Sequence, residues 1–325
     1  MNPNYSQQWY FKKEDLLRTP SIHSGYTYEQ EKIDRAKGCS FILTVGMTLK
    51  LPQVTLATAT VFLHRFYMRR SLKDYNYYEI GATCIFLATK VEETGRKMKD
   101  IVVTVAAKAS KKDDMQLSEG SKEYNKWRDT ILYLEEVLLE AICFDLTIEH
   151  PYQCLLKIIE KIEGSRKLAQ TAWAFVNDSL RTPLCVIHKP HVIAAAALYL
   201  AAKLTNPELI AADSDTDMVG NEKSNNSVGN WWNHVDATIH DIEEVSIEIL
   251  DQYSAMAPTG KAVTAPTKPS SEYRPNTPNN PTSPQPQFNT PSYYSDGGSG
   301  TTAAVGNSNG NGNAHGLAQG VRMEQ

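Results

Sequence analysis

Ile80-Gly81-Ala82-Thr83-Cys84-Ile85-Phe86-Leu87-Ala88-Thr89-Lys90 can be laid without a gap over Ile193-Ala194-Ala195-Ala196-Ala197-Leu198-Tyr199-Leu200-Ala201-Ala202-Lys203. Small, aromatic and lysine positions coincide. Each segment is apolar almost all round and rich in Gly or Ala, as a central helix must be when neighbouring helices approach its backbone on every side. One such segment predicts a buried helix. Two of them in register predict an internal repeat, each copy built around its third helix.

Outward from these two segments, residues from about 28 to 253 place apolar side chains at three- and four-residue intervals, with little of the alternation that strands require. Helices are expected near 30–49, 54–71, 77–92, 98–109 and 124–143, separated by short polar turns such as Leu51-Pro52 and Lys73-Asp74. A second group is expected near 151–163, 166–181, 190–204, 230–236 and 239–253. The predicted fold is all-α, with an N-terminal arm at 1–27 and two tandem five-helix repeats at 28–146 and 147–255. The pattern lapses at 205–229, where Asp213-Ser214-Asp215-Thr216-Asp217 and Asn225-Asn226-Ser227 predict a mobile polar loop. After Met256 the composition turns to Pro, Thr, Ser, Asn and Gly, which predicts a disordered tail over 256–325.

Composition narrows the function. Of 325 residues 41% are hydrophobic, enough for a sizeable core, yet mean hydropathy is −0.40 because polar segments dilute the helical body. A net charge of −4 gives no general attraction for phosphates, so a protein partner is expected and nucleic acid is not. Residues 1–9 are polar, unlike a signal peptide, and no run approaches eighteen apolar residues, so no membrane role is expected. Five scattered cysteines without C-x-x-C spacing read as reduced, buried thiols. His64 has no second ligand at helical spacing, so it is expected to be a hydrogen-bonded structural residue, and no metal or cofactor is predicted. The sequence carries no P-loop, H-E-x-x-H, G-x-S-x-G or kinase signature, so no turnover is expected.

Several blocks then occur in combination: Trp9-Tyr10-Phe11, Leu63-His64-Arg65-Phe66-Tyr67-Met68, Phe86 to Thr94 (FLATKVEET), Phe144-Asp145-Leu146 followed by Glu149-His150-Pro151-Tyr152, and Trp231-Trp232. Together they resemble the cyclins, in particular cyclins K and T of transcription elongation, over about 9–253. The resemblance implies that the first repeat binds a cyclin-dependent kinase, with Lys90 closing the third helix and Glu135 in the fifth helix reaching kinase backbone groups. An ammonium and a carboxylate suit this, since they hold each other while offering spare donors and acceptors. Lys90 alone would read as a helix-end lysine favouring the dipole. Glu135 and Glu136 point about 100° apart, and the family register selects Glu135.

By the same resemblance Phe144 packs against the kinase's regulatory helix, the alternative being burial in the chain's own turn. Glu93 is a further kinase contact or a solvated rim charge. Trp9, Tyr10 and Phe11 either dock on the body or touch the kinase, and Trp231-Trp232 reads as packing. The implied role is a heterodimeric, nuclear activator of an elongation-class kinase that phosphorylates the RNA polymerase II C-terminal domain. Thr277, Ser283 and Thr290, each followed by proline, are candidate phosphosites in the tail. Two other classes share helical repeats: a general transcription factor of the TFIIB type, which calls for a basic body and a zinc ribbon, and a peptide-binding scaffold.

Overall fold

A computed structural model describes residues 6–112, 117–211 and 231–256. The tail, with Thr277, Ser283 and Thr290, and all of the polar insert beyond Ala211 lie outside the described residues.

Two 3₁₀ turns, Ser6–Trp9 and Lys13–Arg18, lead into a one-turn helix α1 (Pro20–His23). The first repeat follows as α2 (Tyr28–Thr48), α3 (Gln53–Tyr67), α4 (Tyr77–Val91), α5 (Met98–Ser110) and α6 (Lys122–Ala141). The second comprises α7 (Pro151–Lys161), α8 (Arg166–Ser179), α9 (Pro190–Thr205), α10 (Glu208–Ala211) and α11 (Ile239–Met256), with 3₁₀ turns at Pro183–Val186 and Trp231–His234. The described residues contain no strand.

Local chemistry sets the starts. Thr27 and Gln30 form a reciprocal capping box on α2, Asn76 accepts from the Tyr78 amide to open α4, and Ser121 does the same for α6 through Tyr124. Each cap satisfies an amide that the helix leaves without a partner, stabilising by about 1 kcal/mol. Prolines at the first positions of α7 and α9 have no amide hydrogen to leave unpaired.

The two matching segments are α4 and α9, and both are central. α4 packs against α2, α3, α5 and α6, and α9 against α7, α8 and α11. Gly81 makes the α2–α4 crossing close: a Cβ there would stand 3.2 Å from the Phe41 ring. Each repeat has its own core, the first centred on Phe62, Phe66, Ile80, Ile85, Ile131 and Leu138, the second on Leu155, Val176, Leu198, Ile242, Val245 and Ile249. Full burial of such side chains contributes roughly 1.5–3 kcal/mol apiece.

The repeats are joined through α3. Ala57 belongs to the second core, Gln53 Nε2 donates to Asn177 Oδ1 at 3.1 Å, and His64 Nε2 lies 3.1 Å from the Leu180 carbonyl. Because that carbonyl can only accept, the proton sits on Nε2. His64 is wholly buried, and loss of solvation, reinforced by Arg35, pushes its pKa down to about 3. It is a structural histidine. Arg35 in turn pairs with buried Glu31 at 2.6 Å and donates to the His64 carbonyl at 3.0 Å.

Three expectations need correction. The helix expected near 230–236 is only a 3₁₀ turn, because Trp231 and Trp232, edge-on at 5.6 Å, need a single turn to enter the second core. The insert expected to be loop from 205 begins with helix α10, held by the buried side chain of Leu209. Of the five cysteines only Cys39 and Cys84 are fully buried. Cys154 and Cys185 are partly buried, and Cys143, in the turn past the end of α6, is exposed.

Candidate partner-binding face of the first repeat

The last turn of α4 and the middle of α6 lie side by side, and Lys90 Nζ forms an ion pair with Glu135 Oε1 across them. The pair is asymmetric: the Lys90 side chain is 48% exposed and that of Glu135 16%. The ammonium also stands 4.3 Å from the centroid of the Phe86 ring, one turn earlier on α4. Carboxylate and ring face together fix the ammonium while its outer side remains open to a partner. Glu136 is exposed and points away around the helix, as expected from the 100° step.

Two exposed apolar side chains belong to the same helix or to the turn that ends it. Leu132, three residues before Glu135, is 48% exposed, and Phe144 just past the helix is 66% exposed. The Phe144 amide donates to the Leu139 carbonyl at 2.9 Å, closing the end of α6, while Cys143 and Phe144 both adopt left-handed φ values of 56° and 53°. Such conformations cost about 1–2 kcal/mol per non-glycine residue. Here the turn leaves a phenyl ring in water. Burial of Phe144 in the chain's own core is therefore excluded. Glu93 is exposed, with φ 52°, and occupies the left-handed position that ends α4, where the Thr94 amide bonds to the Thr89 carbonyl.

The arm resolves differently. Trp9 is only 1% exposed, its Nε1 donates to Asp145 Oδ2 at 2.9 Å, and the guanidinium groups of Arg65 and Arg69 each stand 4.9 Å from its ring. The Phe11 amide donates to the Val186 carbonyl at 2.8 Å, so the arm runs from the first repeat to the second. Tyr10 is partly buried, which raises its pKa. The Trp-Tyr-Phe cluster thus docks on the body. Trp9→Phe, which keeps a ring but removes the bond to a carboxylate, is expected to cost about 1.5–3 kcal/mol in thermal denaturation. An unchanged melting temperature would remove Asp145 as the anchor.

Sequence reasoning singled out neither Asp145, Arg65 and Arg69 as the arm's receptor nor Leu132 and Phe86 as parts of the exposed face. Leu132 was readable, since it lies one turn from Glu135 and Glu136 on α6. It also overlooked a chain at the repeat junction: Thr58 Oγ1 donates to Glu92 Oε1 at 2.6 Å and lies 2.8 Å from His150 Nε2. Burial pushes the His150 pKa down to about 4.

Residues 8–147 match the family described as cyclin, N-terminal domain, and residues 150–252 match the cyclin-T2-like C-terminal domain. The chain is 51% identical over 197 residues to cyclin pch1 of Schizosaccharomyces pombe, covering 60% of this chain and 58% of that one. It is 39% identical over 252 residues to cyclin-K of Homo sapiens, covering 76% of this chain and 41% of the relative. It therefore spans about half the length of these curated relatives. Among solved structures, the yeast RNA Pol II CTD kinase CTDK-1 complex contains a chain similar at a TM-score of 0.57 and 19% identity, over 75% of this chain and 72% of that one. The CAK complex of Chaetomium thermophilum contains another, at 0.56 and 19%, over 77% and 78%. At that identity the likeness is one of fold.

Proposed function

The chain belongs to the cyclin family, and from that membership we propose that it is the regulatory, non-catalytic subunit of a cyclin-dependent kinase of the transcription-elongation class. The observation that carries this reading is the exposed Phe144 on its left-handed turn, set at the end of the helix whose Glu135 holds Lys90. An aromatic ring left in water at the end of the helix that carries a half-open ion pair is what a partner helix would cover. In the proposed complex Phe144 and Leu132 pack against the kinase's regulatory helix. Lys90 and Glu135 bond to its main chain, and Glu93 lies at the rim. The kinase helix is thereby held inward, so that its own glutamate pairs with the ATP-positioning lysine. Shifting a kinase from 1:99 to 99:1 in favour of the active state requires about 5.5 kcal/mol of differential binding.

Names of relatives support the class. Cyclin pch1 and cyclin-K are cyclins by name, and one structural neighbour lies in the yeast RNA Pol II CTD kinase CTDK-1 complex. We infer the same substrate here, the C-terminal domain of RNA polymerase II, and a nuclear location. The test is to purify the tagged full chain and identify what accompanies it by mass spectrometry, then assay the complex on polymerase C-terminal repeat peptides. A stoichiometric kinase that phosphorylates those peptides, and loses that activity when stripped of this chain, is the expected result. A purified chain that carries no kinase but retains labelled peptides would favour a peptide-binding scaffold instead.

A further inference from the structure

Past Lys90 the chain leaves α4 through a turn at 92–96 in which alternate side chains are bound inward. Glu92 Oε1 accepts from Thr58 Oγ1 at 2.6 Å, Thr94 Oγ1 stands 3.0 Å from Thr55 Oγ1, and Arg96 reaches back to the end of α2. Thr55 and Thr58 lie one turn apart on α3 and are 1% and 0% exposed, so their hydroxyls form a fixed rail beneath the turn. Between these anchored neighbours Glu93 is exposed.

The partners of Thr58 settle where its hydrogen goes. A carboxylate only accepts, so the hydroxyl donates to Glu92 and, with its one hydrogen used, accepts from His150 Nε2–H at 2.8 Å. His150 immediately precedes α7, so a single hydroxyl joins the exit of α4 to the entry of the second repeat. Arg96 fastens the other side of the turn. Its Nε donates to the Leu49 carbonyl at 3.2 Å and its Nη2 to the Lys50 carbonyl at 3.0 Å, while Nη1 reaches the carbonyls of Thr94 at 3.1 Å and Gly95 at 3.2 Å. Leu49 and Lys50 end α2, where carbonyls have no amide partner within the helix, so one guanidinium pins the ends of α2 and α4 together. A planar fork of five donors can serve four acceptors at once, which the three donors of an ammonium cannot. Both helix ends carry a non-glycine residue in the left-handed region, Lys50 at φ 53° and Glu93 at φ 52°. Surrounding bonds must hold such residues in place.

We propose that Thr58 and Arg96 are positioning residues of the partner-binding face, holding the turn at 92–96 so that Glu93 meets the kinase in a fixed geometry. This rests on the kinase reading above. Thr58, wholly buried, acts without touching the partner. The test measures, by surface plasmon resonance, binding of the kinase that co-purifies with the full chain. Thr58→Val keeps the shape and removes the hydroxyl, whereas Thr58→Ser keeps the hydroxyl. Thr58→Val and Arg96→Lys should each raise Kd about tenfold, and Thr58→Ser should leave it within about twofold. A purely structural loss would leave the cost of each kinase contact unchanged, so a double-mutant cycle separates the two roles. Glu93→Ala should weaken binding about fivefold in the wild-type chain and hardly at all after Thr58→Val or Arg96→Lys. Phe144→Ala, on the separate turn after α6, should cost the same in every background. If Thr58→Val does not fold, Arg96→Lys at its partly exposed site carries the cycle by itself. In the free chain the Thr94 amide, bonded to the Thr89 carbonyl, should exchange its hydrogen about tenfold faster in Thr58→Val and Arg96→Lys, and at the wild-type rate in Thr58→Ser. Equal cost of Glu93→Ala in all backgrounds, or unchanged exchange at Thr94, would overturn the proposal. A wild-type chain that captures no kinase, with exchange at Thr94 still quickened by the variants, would overturn instead the reading on which it rests.

Discussion

Replacing Glu135 by lysine is expected to weaken kinase binding by roughly 2–5 kcal/mol, about thirty-fold to several thousand-fold in Kd. Glu135 is largely covered and holds Lys90 from beneath, so the substitution sets two ammonium groups against each other in the middle of the proposed face. Glu136→Lys is the control. That side chain is exposed on another side of α6, and the change should move binding by little. The double exchange Lys90→Glu/Glu135→Lys separates two roles of the pair. It restores an internal ion pair, and with it the stability of the free chain, but presents donors where the kinase requires acceptors. Binding should therefore stay weak. Retention of the kinase at wild-type strength by Glu135→Lys, measured by surface plasmon resonance, would remove Glu135 and Lys90 from the interface.

The second large effect is loss of stability in mild acid. His64 and His150 are held neutral in the folded chain, with pKa values pushed down to about 3 and about 4, chiefly by burial. In the unfolded chain both return to about 6.5. Between these values the unfolded state binds more protons, so stability is complete above pH 6.5 and declines as pH falls toward the folded values. Each histidine contributes up to about 1.4 kcal/mol per pH unit, and the pair about 4 kcal/mol by pH 5. Few ordinary carboxylates titrate above that pH. Urea unfolding at pH 7.5 and pH 5 should reveal the difference, and His64→Gln and His150→Gln should each remove about half of the slope. A wild-type midpoint that stays constant over this range would mean that the two imidazoles are hydrated when folded.

These two predictions differ in how far the sequence anticipated them. Lys90 and Glu135 were singled out by the family resemblance, and helix geometry added only that Glu135 and its neighbour Glu136 face about 100° apart. His64 could be assigned a structural role from the lack of a second ligand. Its partner, the Leu180 carbonyl, lies 116 residues away and no periodicity indicates it. The same holds for His150, whose partner Thr58 lies 92 residues back in α3.

The sequence by itself determined the helical class, the repeat and its two central helices. Apolar period and small-residue content are local properties of a segment, and α4 and α9 carry them wherever the rest of the chain goes. Caps at Thr27, Asn76 and Ser121 were local in the same sense. Only the tertiary structure decided what the large aromatics do. Trp9 and Phe144 have similar apolar character, yet Trp9 is sealed beneath Arg65 and Arg69 while Phe144 stands in water. Burial is set by what arrives from elsewhere in the chain. Asp145 reaches Trp9 across 136 residues, whereas past the end of α6 the described residues leave Phe144 66% exposed.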